Sequence, residues 1–338
     1  MHLNSSNKHT TGGFDTPAAQ ALNHREWWKP EGAAALIICA LGWSLGGVFL
    51  KYVNVNSFAI AGLRSTFAFL VMAIFTRQLP HFYVKDEATG KADKAQTVYL
   101  WLSAFSYAAT MIMYVISNKL TYAANVIFLQ YTSPVWVILF SAIILGEKNR
   151  KIDYITFAGI AVGMVLFFAD SLMENQSGEF ADTALLGNTI AALSGVTWAA
   201  TTLFQRKQQL LIAQRIRETG KIPTHNTSKD AFMLAQIITA AFGLPFVFLM
   251  DRGVPDLKSL TFLLLLGLLQ MGIPNIMYSI GIKKVTALSA SLITMIEPLM
   301  NPVWVFIFVH EIPTVKCIVG GLIILGFILL REFVSKKR

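Results

Sequence analysis

The sequence predicts an all-α membrane protein with ten transmembrane helices, arranged as two inverted five-helix repeats. Three observations support this fold class: an apolar composition, ten long apolar segments and an internal repeat. The chain of 338 residues is 54% hydrophobic and only 14% charged, and its mean hydropathy is +0.55. Soluble proteins carry about a quarter charged residues, so this composition indicates a chain that is solvated mainly by lipid.

Ten apolar segments follow a polar N-terminal tail, residues 1–32. A membrane-spanning helix needs about 20 apolar residues, and each segment is close to that length. Unpaired backbone groups are too costly in lipid, so the segments are predicted to be helices. We number them spans 1 to 10 in chain order, at 33–51, 57–76, 98–118, 121–145, 152–169, 184–204, 231–250, 260–280, 287–309 and 314–331.

The distribution of basic residues predicts the orientation. Of the 28 Lys and Arg residues, 22 lie in the termini and the even-numbered loops, five in the odd-numbered loops, and one (Arg64) within a span. Loop 170–183 is acidic and has no basic residue. By the positive-inside rule both termini are cytoplasmic and this loop is an external linker. The net charge of +9 therefore reflects topology and not nucleic-acid binding. We expect a bacterial inner (plasma) membrane protein.

The internal repeat is clearest between spans 4 and 9. Residues 112–147 align without gaps on 276–311, with nine identities in 36 positions that include Pro134/Pro298 and Glu147/Glu311. A weaker match between spans 1 and 6 places Trp43 on Trp198, so we expect these two residues to face each other near the pseudo-two-fold axis. Self-similarity at a fixed offset indicates duplicated structure. Five spans per half is an odd number, so the halves insert with opposite orientation.

These boundaries define the predicted organisation of the chain. The first repeat is 33–169 and the second is 184–331, joined by the linker 170–183. A segment at 205–230 with six basic residues is predicted as a cytoplasmic insertion in the second repeat, either helical or irregular. Residues 332–338 form a basic cytoplasmic tail.

The paired Ala…Pro…Glu stretches, each followed by a Gly-rich span, resemble the EamA family of the drug/metabolite transporter superfamily. Trp43-Ser44 in span 1, Arg64 in span 2 and Glu297-Pro298 in span 9 are also similar to that family. Two departures are the lack of a counterpart of Arg64 in the second half and Ser133, in place of an acid, before Pro134. The resemblance implies export or exchange of small metabolites, often amino acids.

Several other classes of function find no support in the sequence. No G-x-x-x-x-G-K-[ST] loop or H-E-x-x-H motif occurs, and the six histidines are scattered along the chain. Nucleotide hydrolysis and metal-dependent catalysis both need such local groupings. We therefore expect no catalytic residues, no metal and no cofactor. The expected partners are a small-molecule substrate, the lipid bilayer and a coupled proton or counter-substrate.

Glu297 and Arg64 are the charged residues that fall well inside predicted spans, away from their ends. An ionised carboxylate near the middle of a span costs about 2.5–3.5 kcal/mol, so Glu297 must face water, a partner or a proton. It is a candidate for contacting a substrate amine or for proton coupling. Alternatively, it helps to satisfy carbonyls that Pro298 and Pro302 leave without hydrogen bonds. Arg64 either attracts a substrate carboxylate or makes a structural pair.

Several polar and aromatic residues have similar predicted depth and could line a substrate cavity, since such sites are mostly apolar with a few polar groups. The alternative for the aromatic residues is ordinary helix packing. Tyr114 and Tyr278 match between the repeats near opposite surfaces, which makes them candidates for opposite gates or for interfacial anchors. The cavity candidates are Trp43, Ser44, Gln130, Tyr131, Trp198, Asn275, Glu297 and Asn301.

The sequence therefore favours a secondary transporter that exports or exchanges small organic metabolites, such as amino acids, by alternating access. A different class of function is also open: a membrane sensor or assembly subunit that has the transporter fold but no transport activity. Substrate-dependent flux separates the two.

Overall fold

A computed structural model describes residues 32–50, 52–86, 89–121, 123–146, 149–174, 182–220, 225–250, 255–309 and 314–336. Within these ranges the regular structure is helical, apart from one isolated bridge between Lys85 and Ala92. The predicted all-α class is therefore confirmed. Residues 1–31 and 337–338, Glu147, Glu311 and the side chain of Asn301 lie outside the described part.

The helices follow the predicted spans in order. In the first repeat they are Gly32–Ser44 with Gly46–Leu50, Ser57–Thr76, Lys94–Leu120, Ala123–Gln130 with Ser133–Leu145, and Lys151–Glu174. In the second repeat they are Ala184–Thr219, Thr227–Gly243 with Pro245–Leu249, Leu257–Leu265 with a π-helix Leu266–Gly272 and Ile273–Gly281, Ala287–Thr294 with Ile296–Val309, and Val315–Lys336.

The outer surface of the helices is strongly apolar. Seven described helices are long and apolar enough to cross a membrane, and two shorter apolar helices belong to spans 9 and 10. Large apolar side chains such as Ile143 (79% exposed), Leu185 (82%) and Leu257 (80%) point away from the protein. Contiguous apolar surface of this kind is rare on soluble monomers. The chain is a multi-pass integral membrane protein.

The packing of the spans has two-fold pseudo-symmetry: a contact between two spans recurs between their counterparts in the other repeat. Span 3 lies along span 6, and its counterpart pair, span 8 with span 1, is also in contact. Span 4 contacts span 6, and the equivalent span 9 contacts span 1. Spans 2 and 7, and spans 5 and 10, pack directly on their own counterparts. Each half thus completes its packing with the other half.

Glycines allow the closest approaches between spans. A Cβ on Gly62 in span 2 would lie 2.4 Å from the backbone nitrogen of Leu244 in span 7. In span 5, a Cβ on Gly159 would collide with the Phe327 ring of span 10, and one on Gly163 would lie 3.0 Å from the Gly320 carbonyl oxygen. The GxxxG pattern in span 5 is therefore a close helix contact, as such patterns commonly are in membranes.

Spans 4 and 9 are interrupted at matching positions. In span 4 the break falls at Tyr131 and Thr132, just before Pro134 in the first turn of the second half-helix. In span 9 it falls at Met295, and Glu297 and Pro298 occupy the first turn of the helix that follows. Proline lacks an N–H and suits the first turn of a helix, where that group has no intrahelical partner. The predicted repeat therefore extends to the backbone.

Residues 205–219, part of the predicted insertion, continue span 6 as one helix of 36 residues, Ala184–Thr219. The helix ends at Gly220, whose φ of 70° is left-handed and whose N–H donates to the Ile216 carbonyl. Gln208 Nε2 donates to the Gln96 carbonyl over 3.0 Å, which ties this extension to the start of span 3. The sequence did not decide whether this segment is helical or irregular. In the structure, residues 205–219 are helical and continuous with span 6.

Candidate functional site

A cavity lies between the two repeats, at the breaks of spans 4 and 9. Its volume is about 70 Å³, and seven spans contribute to its wall, four of them from the first repeat. Ligand pockets usually measure about 300–1,000 Å³, so a ligand of ordinary size could enter only if the walls moved apart. The lining residues are Trp43, Arg64, Tyr107, Met111, Tyr114, Gln130, Tyr131, Trp198, Gln270, Met271 and Glu297.

Glu297 supplies the negative charge of the cavity. The break in span 9 places it in the first turn of the half-helix Ile296–Val309. Exposed backbone N–H groups and the helix dipole favour a carboxylate at that position. Tyr131, at the break of span 4, lines the same cavity. The two helix interruptions thus place an acid and a phenol in one cavity wall.

Arg64 supplies the positive charge. Its side chain is 3% exposed, and its Nη1 donates to Gln270 Oε1 over 3.2 Å while Nη2 lies 3.9 Å from Met111 Sδ. Among the described residues, Arg64 Nε and Trp43 Nε1 have no hydrogen-bond acceptor. A buried donor without an acceptor costs about 1–3 kcal/mol. The cavity wall therefore presents donors that a bound acceptor could satisfy.

Arg64 and Glu297 do not form a direct ion pair. Both side chains are described, and no nitrogen–oxygen distance between them is within the 4.0 Å of a salt bridge. Both nonetheless border the same small cavity. Their charges are held apart in surroundings of low polarity, where each attracts an oppositely charged group more strongly than in water.

An aromatic cluster closes one side of the cavity. Trp43 and Trp198 meet edge to face, with ring centroids 5.2 Å apart, as the match between spans 1 and 6 predicted. Tyr278 stacks on Trp43 at 5.7 Å and Phe232 meets Tyr278 at 5.4 Å. Tyr107 contacts both Trp198 and Phe232. We call these five residues the aromatic plug, which in the predicted topology lies on the cytoplasmic side.

The structure separates the predicted cavity residues into two groups. Five of the eight candidates line the cavity: Trp43, Gln130, Tyr131, Trp198 and Glu297.

Two other candidates lie outside the lining. Ser44 donates to the Leu41 carbonyl and accepts a 2.7 Å hydrogen bond from Trp304 Nε1. Asn275 is fully buried and accepts from the Tyr107 hydroxyl over 3.2 Å. Both polar groups serve contacts between helices.

Four lining residues were missing from the sequence-based prediction. Tyr107 and Met111 lie on span 3, four residues apart and on the same face as Tyr114, so helical periodicity could have identified them. Gln270 and Met271 lie in the π-helical segment of span 8. A π-helix adds one residue to a turn and so changes which residues face inward. The sequence contained no signal for that change.

A larger opening of about 330 Å³ lies at the end of the span 6 extension, lined in part by Asp86, Arg215 and Glu218. Its charged groups pair with one another, since Arg215 bonds to both Asp86 and Glu218. It lies beside the loop between spans 2 and 3 and not between the repeats. The smaller central cavity is therefore the better candidate for a transport site.

Comparison with known proteins gives one consistent answer. Residues 30–169 and 185–331 each match the EamA-like transporter family. An uncharacterized transporter of Archaeoglobus fulgidus is 23% identical over 299 residues, covering 88% of this chain and 95% of that protein. An uncharacterized transporter of Clostridium kluyveri is 26% identical over 241 residues, or 70% of each chain. One crystal structure, 18% identical, superposes with a TM-score of 0.69 over 91% of this chain and 99% of the other.

Proposed function

The chain belongs to the EamA-like transporter family, and we propose that it exports or exchanges a small zwitterionic metabolite, such as an amino acid, by alternating access. The observation that carries the substrate class is the pair of separated opposite charges, Arg64 and Glu297, in one cavity between the repeats. A zwitterion satisfies both charges at once.

The carboxylate of the substrate binds at Arg64. A carboxylate offers several acceptor sites. Two of the buried donors that lack an acceptor, Arg64 Nε and Trp43 Nε1, belong to residues that line the cavity. Hydrogen bonds between charged groups are about twice as strong as neutral ones. This interaction offsets the cost of keeping a guanidinium group inside the membrane.

The ammonium group of the substrate binds at Glu297. The carboxylate borders a cavity whose wall also contains Trp43, Trp198 and Tyr131, and aromatic faces attract ammonium groups. The aromatic rings also give the apolar body of a metabolite a surface to pack on. In the absence of substrate, a proton takes the place of the ammonium group, which gives Glu297 its role in coupling.

Alternating access uses the interrupted helices and the two-fold packing. Breaks at matching positions in spans 4 and 9 allow each half-helix to tilt independently of its other half. The aromatic plug closes the side of the cavity that is predicted to be cytoplasmic. In the opposite state Tyr114, the equivalent of Tyr278, closes the outer side. Binding energy from both ends of the zwitterion drives the cavity walls between these states.

A series of three related ligands tests the substrate class. The purified protein is first screened against metabolites by thermal shift, and the best amino-acid ligand is compared with its amide and its N-acetyl derivative. We expect either modification to weaken binding and counterflow in proteoliposomes by about 10-fold or more, because each leaves one buried charge unsatisfied.

The three ligands distinguish between the two charge contacts. Equal binding of all three ligands would show that the substrate is not recognised as a zwitterion. Loss with the amide alone would leave Arg64 as the only charge contact. No substrate-dependent flux with any metabolite pool would contradict transport and would favour a sensor or an assembly subunit.

A further inference from the structure

Three potential metal ligands meet outside the central cavity, at the ends of spans 2 and 7. His81 Nδ1 lies 3.1 Å from Asp230 Oδ2, and His225 Nε2 lies 3.8 Å from the same oxygen. All three ligand atoms lie within 4.8 Å of one another. The two imidazole rings are stacked, with centroids 4.2 Å apart. In the sequence the two histidines lie 144 positions apart, which is why no motif revealed them.

The three ligand atoms lie close enough together that modest rotation of the two stacked rings would bring them onto one transition-metal ion. Zinc binds imidazole nitrogen at about 2.0–2.1 Å and carboxylate oxygen at about 2.0–2.2 Å, so neighbouring tetrahedral ligands lie about 3.3 Å apart. The observed 3.1 and 3.8 Å lie on either side of that value. Nitrogen-rich donor sets of this kind suit zinc, copper, nickel and iron rather than magnesium or calcium.

The burial of the three ligands also fits a metal site. Asp230 is fully buried and the His225 side chain is 4% exposed, whereas the His81 side chain is 48% exposed. The two inner ligands are therefore held in place, and the outer one leaves a path by which an ion can enter. A fourth position remains on the open side for water, as in sites with three protein ligands.

The ammonium group of Lys229 lies beside this cluster and should weaken the binding of a metal ion. Lys229 Nζ lies 3.7 Å from Asp230 Oδ1 and donates a 2.6 Å hydrogen bond to Gln78 Oε1. The ammonium group thus approaches the oxygen that faces away from the histidines. It partly neutralises the buried carboxylate and lowers its attraction for a second cation. Its removal should therefore strengthen metal binding, which a purely structural cluster would not do.

We propose that His81, His225 and Asp230 bind a divalent transition-metal ion of the Zn²⁺ class and join the two repeats through it. His81 belongs to the loop that follows span 2, in the first repeat, and His225 and Asp230 belong to the second. Asn226 follows His225 in the sequence, and its Nδ2 donates to the Ser279 carbonyl of span 8 over 3.4 Å. An ion therefore holds spans 2, 7 and 8 together beside the aromatic plug.

The consequence for transport rests on the proposed function. An ion that joins the two repeats on the plug side disfavours the state that is open there, because that state must separate the same spans. We therefore expect Zn²⁺ to inhibit flux by holding the plug closed. Binding itself does not depend on transport and is measured separately.

The binding test uses Co²⁺ and Zn²⁺ with the full-length protein in detergent, after removal of any purification tag. Co²⁺ reports tetrahedral nitrogen and oxygen ligands through its visible absorption, and Zn²⁺ should displace it at one ion per chain. We expect His81→Ala to weaken binding by at least about 100-fold, since loss of an outer-shell partner alone costs about 10–100-fold. His81 is half-exposed, so this variant should still fold.

Two further variants make the result specific. Lys229→Leu should bind the ion more tightly than the wild type, by about 10-fold, because a neighbouring cation is removed. The control is His9→Ala with His24→Ala, which changes histidines of the N-terminal tail and should leave binding unchanged. Unaltered Co²⁺ spectra in His81→Ala, absence of saturable binding, or weaker binding in Lys229→Leu would each overturn the proposal.

A separate measurement of flux tests the effect of the ion on transport. Flux of the wild type should fall when Zn²⁺ is added on the plug side, and flux of His81→Ala should not. If the protein binds the ion but shows no flux at all, the proposed transport function fails and the metal site stands. If flux is measurable but insensitive to Zn²⁺ that is bound, the coupling between this site and the plug is wrong.

Discussion

Spans 4 and 9 are alike in backbone and different in chemistry. Both break at matching positions and restart as a half-helix with a proline in its first turn. At the residue before that proline, span 4 has Ser133, which is buried with its Oγ 3.4 Å from Ser291 Oγ, whereas span 9 has Glu297 in the cavity wall. The comparison indicates that the two repeats share the hinge, while only the second repeat carries a charge at it.

Spans 3 and 8 show the reverse case. They have the same residue type at equivalent positions, Tyr114 and Tyr278, but the two side chains have different environments. Tyr114 lines the cavity from the unbroken helix Lys94–Leu120. Tyr278 is fully buried in the aromatic plug, and its hydroxyl lies 2.9 Å from Thr202 Oγ1. Equivalent residues in a two-fold arrangement that is captured in one conformation are expected to differ in this way.

The largest effect should come from the charge that spans 4 and 9 do not share. Glu297→Gln keeps the shape of the side chain but removes its charge. We expect counterflow of an amino-acid substrate to fall by at least about 30-fold, the equivalent of about 2 kcal/mol for one partner of a buried charge pair. Initial rates in proteoliposomes over a range of substrate concentrations measure this.

The matched control for this variant is Ser133→Ala at the equivalent hinge, where we expect rates within about twofold of the wild type. Glu147→Gln makes the same chemical change just beyond the predicted end of span 4, where an acid is expected to be less costly than at mid-span, and should also have little effect. If all three variants lost transport equally, the hinge and not the charge would be the important feature.

The next effect concerns Arg64, which has no counterpart in the second repeat. Arg64→Gln should lower the affinity for the substrate by about 10-fold, because one charge-assisted contact to the carboxylate is lost. Affinity for the amide of the same substrate should hardly change. Isothermal titration of both ligands checks this, and an equal loss for both would assign Arg64 to the structure of the cavity alone.

A smaller effect tests the two tyrosines as gates. Tyr114→Ala should favour the outward-open state and Tyr278→Ala the inward-open state, each by roughly threefold, within the few kcal/mol that separate such conformations. The reporter is a cysteine at Gln130, which lines the cavity, in a background with Cys39 and Cys317 replaced. Impermeant reagents applied from each side measure its accessibility. Changes in the same direction in both variants would leave the tyrosines as interface anchors.

The smallest effect concerns the hydroxyl of Tyr278. Tyr278→Phe removes the contact with Thr202 and should destabilise the protein by about 0.6 kcal/mol, the average for a hydrogen bond between membrane helices. Unfolding in mixed micelles measures this. Unchanged stability would show that the contact with Thr202 contributes nothing to the folded state.

Much of the fold could be predicted because hydropathy and proline act locally. The ten spans follow from segment length, and the prolines Pro134 and Pro298, which the repeat aligns, lie beside the two breaks in the backbone. The contact between Trp43 and Trp198 followed from the repeat alone. These features depend on one segment at a time or on the symmetry between two.

The remainder depends on how helices are rotated against one another. The π-helix in span 8 turned Gln270 into the cavity and placed Asn275 against Tyr107, and such an insertion leaves no mark in hydropathy. The group of His81, His225 and Asp230 forms because two loops and the start of span 7 meet. Contacts between segments so distant in sequence are invisible to spacing rules.

The length of span 6 has a mechanical consequence. Its 36-residue helix is about 54 Å long, and the hydrocarbon core takes up about 30 Å of this. A tilt of about 10° within the membrane therefore displaces the cytoplasmic end of the helix, in the predicted topology, by about 4 Å. That end includes Arg215, which is bonded to Asp86 in the loop after span 2. A small movement of span 6 near Trp198 thus becomes a larger movement at its contact with the first repeat.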